Sequence, residues 1–549
     1  MSKKTLQKLE LTWIGKDEER ENIEPRILIE DPKYSYGDTE SGNMLIHGDN
    51  LLALKALEQE YSGHVKCIYI DPPYNTGNAF EHYDDGVEHS LWLSLMNKRI
   101  ELLYSLLRKD GILLINLDEV EHAYCKVICD EIFGRQNYLG DLIWQKRKGG
   151  GNDSRFFAID HDYILVYAKN SDKKTHPKKW LVSQSEDYLK RYKEIAEDGR
   201  RYYWDTLARD GLQNPIPVEI TCPDGFLLKI NSQQSQKTIE EGLVSGEIRL
   251  TKSKNGWTLH HRVYMPDGQV LRSILNNVGT NKTAGDEIEY LFGDSKAFDY
   301  PKPETLIQKL LELTTKKGDL VLDSFLGSGT TAAVAQKMGR RYIGIELGNH
   351  AYTHCYPRLK MVTDGTDQGG ISKAQNWKGG SGFKFYELAP SLLKEDRFGN
   401  LVINKEYNAD MLAAAMAKQE GYTYQPDTSL YWKQGQSSEH DYIYTTTQFL
   451  TVESLDAISE TMQEGESLLI CCTAFQKECT THHPNITVKK IPQMLLGRCE
   501  FNKDNYNLNI IDMPKMDDEE DPDEDYLPVD LAENAEDKDN KTTQTSLFE

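Results

Sequence analysis

The stretch Val321-Leu-Asp323-Ser-Phe325-Leu-Gly327-Ser-Gly329-Thr-Thr331, continued by Ala332-Ala-Val-Ala, reads as a strand, a glycine-rich turn and the start of a helix. Two glycines two positions apart permit a tight turn and let a ligand approach the backbone closely. The next apolar run, Arg341-Tyr-Ile-Gly-Ile-Glu346, ends in an acid nineteen positions after Gly327. At that offset an acid hydrogen-bonds ribose hydroxyls in nucleotide-binding sheets. The pattern therefore predicts an α/β fold with a site for a ribose-bearing ligand. Gly-Ser-Gly-Thr-Thr-Ala also satisfies the dinucleotide pattern G-x-G-x-x-A, so a nicotinamide enzyme has to be weighed.

Working outward, a second strand, Ile68-Tyr69-Ile70, ends in Asp71-Pro72-Pro73-Tyr74. Two adjacent prolines remove two backbone donors, leave their carbonyls as acceptors and stiffen the chain where it leaves the sheet. A carboxylate beside carbonyl acceptors suits an amino group that must give up a proton, and the Tyr74 ring offers a face for a base. Upstream, Met44-Leu-Ile-His-Gly48-Asp49-Asn50-Leu51 reads as a further strand running into a helix. Tyr300-Pro301-Lys302-Pro303-Glu304-Thr305-Leu306-Ile307 reads as a turn into an amphipathic helix just before the glycine turn.

Together, D-P-P-Y and D-x-F-x-G-x-G-T-T resemble the catalytic and S-adenosylmethionine motifs of the DNA amino-methyltransferases, and a dehydrogenase offers no reason for the former. The catalytic motif precedes the cofactor turn by about 250 residues, an order that resembles the beta class of these enzymes. Leu9-Glu-Leu-Thr-Trp13-Ile-Gly-Lys16, Asp71-Pro-Pro-Tyr-Asn-Thr-Gly77 and Gly380-Ser-Gly-Phe383-Lys-Phe resemble the modification (Mod) subunits of type III restriction-modification systems. The resemblance covers residues 9–390, and more weakly the region to 511. It implies a Rossmann-like, mixed-sheet methyltransferase with circularly permuted motifs. It further implies catalysis by Asp71, Pro72, Pro73 and Tyr74. Asp323, Phe325, Gly327 and Gly329 would contact the methionine part of the cofactor and Glu346 its ribose, with Asp49, Lys302, Pro303 and Thr305 assisting. D-P-P-Y favours adenine N6 as the target. A cytosine amine, an RNA substrate and a non-catalytic specificity subunit are the alternatives. A homodimer is implied. The chain is short for such a subunit and shows no helicase or nuclease motif, so cleavage would belong to a separate restriction subunit.

The net charge of −23 looks wrong for a DNA-binding protein until it is located. Residues 512–549 hold fifteen acids and three bases and supply −12 of it; this composition predicts a disordered, solvated tail. Residues 145–210 hold fifteen Lys/Arg against eleven Asp/Glu. Within them Lys146-Arg147-Lys148, followed by three glycines, suits a loop tracking phosphates, and Phe156 and Phe157 beside it could stack on a flipped base. The nine cysteines form no C-x-x-C pair, and the histidine pairs at 260–261 and 482–483 read as surface or loop residues, so no metal is expected. No apolar run reaches membrane-spanning length and no signal peptide is visible, which predicts a cytoplasmic, nucleoid-associated protein.

The chain divides on this reading into residues 1–170 (catalytic half), 171–297 (target-recognition domain), 298–390 (cofactor half), 391–511 (small C-terminal α/β domain) and 512–549 (acidic tail). The middle segment is assigned by its position between the motifs, as the resemblance implies. The final Gln544-Thr-Ser-Leu547-Phe548 resembles the peptide by which bacterial replication and repair proteins dock onto the sliding clamp, with Leu547 and Phe548 as apolar anchors and Gln544 as the hydrogen-bonding residue.

Overall fold

A computed structural model describes residues 10–504, apart from 17–21, 74–84, 150–155, 177–178, 183, 185, 208–210, 212 and 255. The described residues fall in one compact unit. Tyr74 and the acidic tail with Gln544, Leu547 and Phe548 lie outside the described residues.

An 11-stranded mixed sheet runs in the order Leu28–Glu30, Gly382–Leu388, Met44–His47, Arg341–Glu346, Leu320–Asp323, Val65–Ile70, Leu107–Leu117, His161–Ala168, Tyr138–Gln145 and Ile274–Leu275, with Tyr36–Gly37 pairing off the path. The stretch from Gly382–Leu388 to Leu107–Leu117 is parallel throughout, and His161–Ala168 and Tyr138–Gln145 continue it antiparallel. Two of the three strands from late in the sequence, Arg341–Glu346 and Leu320–Asp323, thus sit between Met44–His47 and Val65–Ile70. That interleaving is the structural form of the permuted motif order, and the α/β class expected from the sequence is present.

The strand sequences explain the two-sided burial. Val-Lys-Cys-Ile-Tyr-Ile and Leu-Val-Leu-Asp are nearly unbroken apolar runs, as a parallel sheet covered on both faces requires. Alternate side chains divide between two cores. Ile68, Ile70, Leu113, Leu322 and Ile345 pack under helices Asn50–Tyr61 and Asp85–Leu106. Cys67, Tyr69, Leu114, Val321 and Tyr342 pack under Glu304–Thr314, Thr330–Lys337 and Tyr356–Asp364. Helix His122–Cys129 passes directly into one wide turn, Asp130–Gly134.

Between the two halves of this sheet, Glu194–Ile195, Arg201–Thr206, Gly256–Tyr264 and Ile248–Ser253 form a four-stranded antiparallel sheet. Leu259 and Ile248 anchor its core with Ile239 of helix Gln236–Ser245. His260 and His261 therefore lie in a strand, not a loop. After Leu388, helix Ala409–Gln419 and helix Val452–Ser459 flank a five-stranded sheet that includes Ser467–Phe475. Here His482 and His483 each place Nε2 2.8 Å from Asp456 Oδ1. No described helix is long and apolar enough to cross a membrane.

Candidate active site

Parallel strands all present their carboxyl ends at one edge, and this chain puts an acid at or just beyond the end of four neighbours. In spatial order they are Asp49, Glu346, Asp323 and Asp71. From Leu320–Asp323 the chain crosses to Arg341–Glu346 on one side, and from the adjacent Val65–Ile70 it crosses to Leu107–Leu117 on the other, so the connections diverge between these two strands. Ligands of open α/β sheets bind in the crevice at such a switch point.

Asp71 lies at the tip of the strand Val65–Ile70. Its Oδ2 accepts a hydrogen bond from Lys302 Nζ at 2.5 Å and its Oδ1 one from Asn116 Nδ2 at 3.3 Å. The turn that follows is pinned by the buried Trp92, whose indole N–H donates to the Pro73 carbonyl at 2.9 Å. Pro72 is buried and Pro73 exposed.

The glycine turn depends on its glycines. Gly327 has φ +57° and a Cβ there would meet the Phe298 ring at 3.0 Å; Gly329 has φ +83° and opens helix Thr330–Lys337. Glu346 reaches back across the turn, accepting the Gly327 N–H at 2.7 Å and the Gly348 N–H at 3.2 Å. Asp323 is buried and accepts the Phe325 N–H at 2.9 Å. Burial pushes its carboxyl up to about 7, against hydrogen bonds from Thr331 and Phe325 that lower it; the charges of Asp71 and Glu346 add to the rise. Phe325 is half-buried against the core.

The other residues singled out from sequence sit as follows. Asp49 caps helix Asn50–Tyr61 through the Leu52 N–H at 3.1 Å and pairs with Arg99 at 3.1 Å. Lys302 is buried on Asp71. Pro303 caps helix Glu304–Thr314, and the Thr305 hydroxyl donates to the Val278 carbonyl at 2.5 Å. Arg147 and Lys148 are exposed, and Phe156 and Phe157 are 76% and 77% exposed. Lys146 departs from the expected phosphate-tracking loop: it is turned inward onto the buried Asp162, 2.6 Å away. The antiparallel pairing of Trp144 with Asp162 brings it there.

A buried ion cluster braces the turn from behind. Arg358 donates to Ser328 O at 3.3 Å, Thr330 Oγ1 at 2.8 Å and Glu304 Oε1 at 2.9 Å; Lys337 holds Glu304 at 2.8 Å and Asp367 at 2.7 Å. Sequence reading missed this cluster along with Trp92, Asn116 and Asp162. Glu304 and Lys337 fell inside recognised motif helices, but nothing local marked them as partners.

A family model described as DNA methylase matches residues 65–356, which span both motifs. The chain is 34% identical over 410 residues to a probable type III restriction-modification enzyme HindVI Mod subunit of Haemophilus influenzae, covering 64% of this chain and 54% of that one. It is 26% identical over 487 residues to the EcoP15I Mod subunit of Escherichia coli, covering 73% and 74%. It is 30% identical over 355 residues to the type II methyltransferase M.KpnI of Klebsiella pneumoniae, covering 59% and 84%. The chain spans about half the length of the first of these relatives. With the match running from the strand before Asp71 to the helix behind the glycine turn, the chain belongs to the DNA methylase family.

Proposed function

We propose that this protein is a site-specific DNA methyltransferase that modifies the exocyclic N6 amine of adenine in double-stranded DNA, as the modification subunit of a type III-like restriction-modification system. The observation that supports the reading best is the meeting of Asp71, from early in the chain, with Asp323 and Glu346, from late in it, at one sheet edge.

The cofactor is S-adenosylmethionine, which supplies an electrophilic methyl group on a sulfonium. The residues present fit it. A buried Asp323 pushed up to about 7 is relieved by a cationic ligand, and the Gly327 turn leaves backbone where a side chain would intrude. Asp323, Phe325, Gly327 and Gly329 hold its methionine part and Glu346 its ribose, with Asp49, Lys302, Pro303 and Thr305 closing the site around them.

An exocyclic amine is a poor nucleophile because its lone pair is delocalised into the ring. Asp71, fixed by Asn116 and Lys302, and the Pro72 carbonyl accept its two hydrogens and orient the nitrogen. Asp71 or solvent then takes the proton the amine must lose. The base is reached only after flipping out of the duplex, with Tyr74 on one face and Phe156 a candidate for the other. Arg147 and Lys148 contact phosphates.

Residues 171–297 carry target recognition on this reading. One face of their antiparallel sheet gathers Arg249 over Trp204 (4.1 Å) and Arg262 over Tyr202 (4.8 Å), basic and aromatic groups of the kind that meet nucleic acid. A homodimer, a separate restriction subunit and a clamp contact through Gln544, Leu547 and Phe548 complete the proposed partners.

The test is methylation of unmodified genomic DNA by the purified chain, read by single-molecule sequencing. The expected outcome is N6-methyladenine at one short motif, lost in Asp71→Ala with cofactor affinity largely kept. Modified cytosine, or activity within tenfold of wild type in Asp71→Ala, would overturn the respective assignment.

A further inference from the structure

The polar groups beside Asp71 form a line in which the neutral Asn116 amide joins two acid–lysine pairs. Lys146 Nζ donates to Asp162 Oδ1 at 2.6 Å. Asp162 Oδ2 accepts from Asn116 Nδ2 at 3.4 Å, and that same nitrogen donates to Asp71 Oδ1 at 3.3 Å. Lys302 closes the far end on Asp71 Oδ2 at 2.5 Å. Asn116 is 0% and Asp162 2% exposed, so this line is built into the sheet and is not a surface accident. Asn116 and Asp162 come from the adjacent strands Leu107–Leu117 and His161–Ala168, where Asn116 stands opposite Ile164.

We infer that Lys146, Asp162 and Asn116 are positioning residues for the Asp71 carboxylate. An amide nitrogen has two hydrogens, and here they face two anions. Two carboxylates on one nitrogen repel each other unless each has a cation on its other oxygen. Lys302 meets that need for Asp71 and Lys146 for Asp162. The chain of control runs inward. Lys146 fixes the Asp162 carboxylate, Asp162 holds the Asn116 amide with nitrogen toward Asp71, and Asn116 sets the plane of the Asp71 carboxylate. Without Lys146 the Asp162 carboxylate loses the cation that fixes its Oδ1, so its Oδ2 no longer holds the Asn116 nitrogen in one place. The Asn116 amide is then free to turn, and Asp71 loses the fixed Asn116 donor on Oδ1 while keeping Lys302.

The inference rests on Asp71 accepting the amine hydrogens. The experiment uses the full chain and unmodified genomic DNA, with wild type, Asp71→Ala, Lys146→Met, Lys146→Arg, Asp162→Asn and the double variant Lys146→Met/Asp162→Asn. Methylation rate, S-adenosylmethionine Kd, DNA Kd at several salt concentrations and melting temperature are measured. Lys146→Met is expected to lose roughly ten- to a hundredfold in kcat with both Kd values within about twofold of wild type. Lys146→Arg should restore most of the rate. The neutral double variant should be faster than Lys146→Met alone, because an Asn at 162 can still accept from Asn116. A Lys146→Met enzyme with wild-type kcat overturns the inference. So does one whose DNA Kd weakens with a salt slope lower by about one, the signature of a lost phosphate contact. If Asp71→Ala is dead while Lys146→Met is fully active, only the positioning role falls. If Asp71→Ala is itself active, the reading of Asp71 falls first.

Discussion

Arg358→Met should loosen the cofactor turn and the fold together. Arg358 is 1% exposed and donates to Glu304, Thr330 and Ser328. Its removal leaves the Glu304 carboxylate buried with Lys337 as its remaining cation and takes a donor from two groups of the turn. Breaking a buried ion pair costs about 3–5 kcal/mol. Lys337 still compensates Glu304, so the lower end, about 3 kcal/mol, applies. At about 2.1 cal/mol/K of unfolding entropy per residue, a unit of roughly 500 residues shifts by about 1 °C per kcal/mol, so the melting temperature should fall by about 3 °C. Because Ser328 and Thr330 bracket Gly329, S-adenosylmethionine affinity should weaken as well. Arg358→Lys keeps the charge but loses the forked geometry, so it should fall between wild type and Met in both measurements. The assay is a thermal melt with and without cofactor, paired with calorimetric titration of the cofactor. A melting change below about 1 °C with unchanged affinity would refute the claim that this cluster braces the site.

Two further predictions follow from carboxyls held above their ordinary range. Asp323, pushed up to about 7 by burial, should ionise when a cationic cofactor binds, so binding releases a proton and Kd tightens as pH rises towards about 7. Calorimetry in buffers of different ionisation enthalpy reads the proton directly, and zero release at pH 6.5 would count against it. Glu287 is raised from 4.5 to about 7 by burial and then by the charge of Glu304. A raised carboxyl favours the fold at low pH, and that contribution is lost as pH climbs from about 4.5 to 7. Glu287→Gln should therefore gain in melting temperature relative to wild type at pH 8 more than at pH 5; an equal difference at both would contradict the shift.

How much of this was legible in the sequence depended on whether a residue acts through its place on a strand or through its neighbours. Asp71, Asp323 and Glu346 end or follow apolar runs, and parallel strands send such residues to a common edge, so their meeting there was legible from the motifs. The charge count around residues 145–210 misread Lys146 because it treats basic residues as facing solvent. The pairing of Trp144 with Asp162 turns Lys146 inward, and that register is set by two strands whose partnership no local pattern announces. Asn116 and Trp92 were invisible for the same reason: each lies in an apolar run that reads simply as core.

The charges at the sheet edge also bear on where a ligand goes. Asp49 pairs with Arg99, Asp71 with Lys302 and Asp162 with Lys146. Asp323 and Glu346 are held instead by backbone N–H groups, and Asp323 also by the Thr331 side chain, with no ion pair among the described residues. Three acids thus have their charge met from within the protein, while the two flanking the glycine turn are oriented but not neutralised. A ligand bringing a positive centre and hydroxyl donors gains most at those two, and least at the acids already paired. On that ground Asp71, although only one strand away from Asp323, is better placed to serve the amine than to anchor the cofactor: Lys302 has already answered its charge, and what it still offers is orientation.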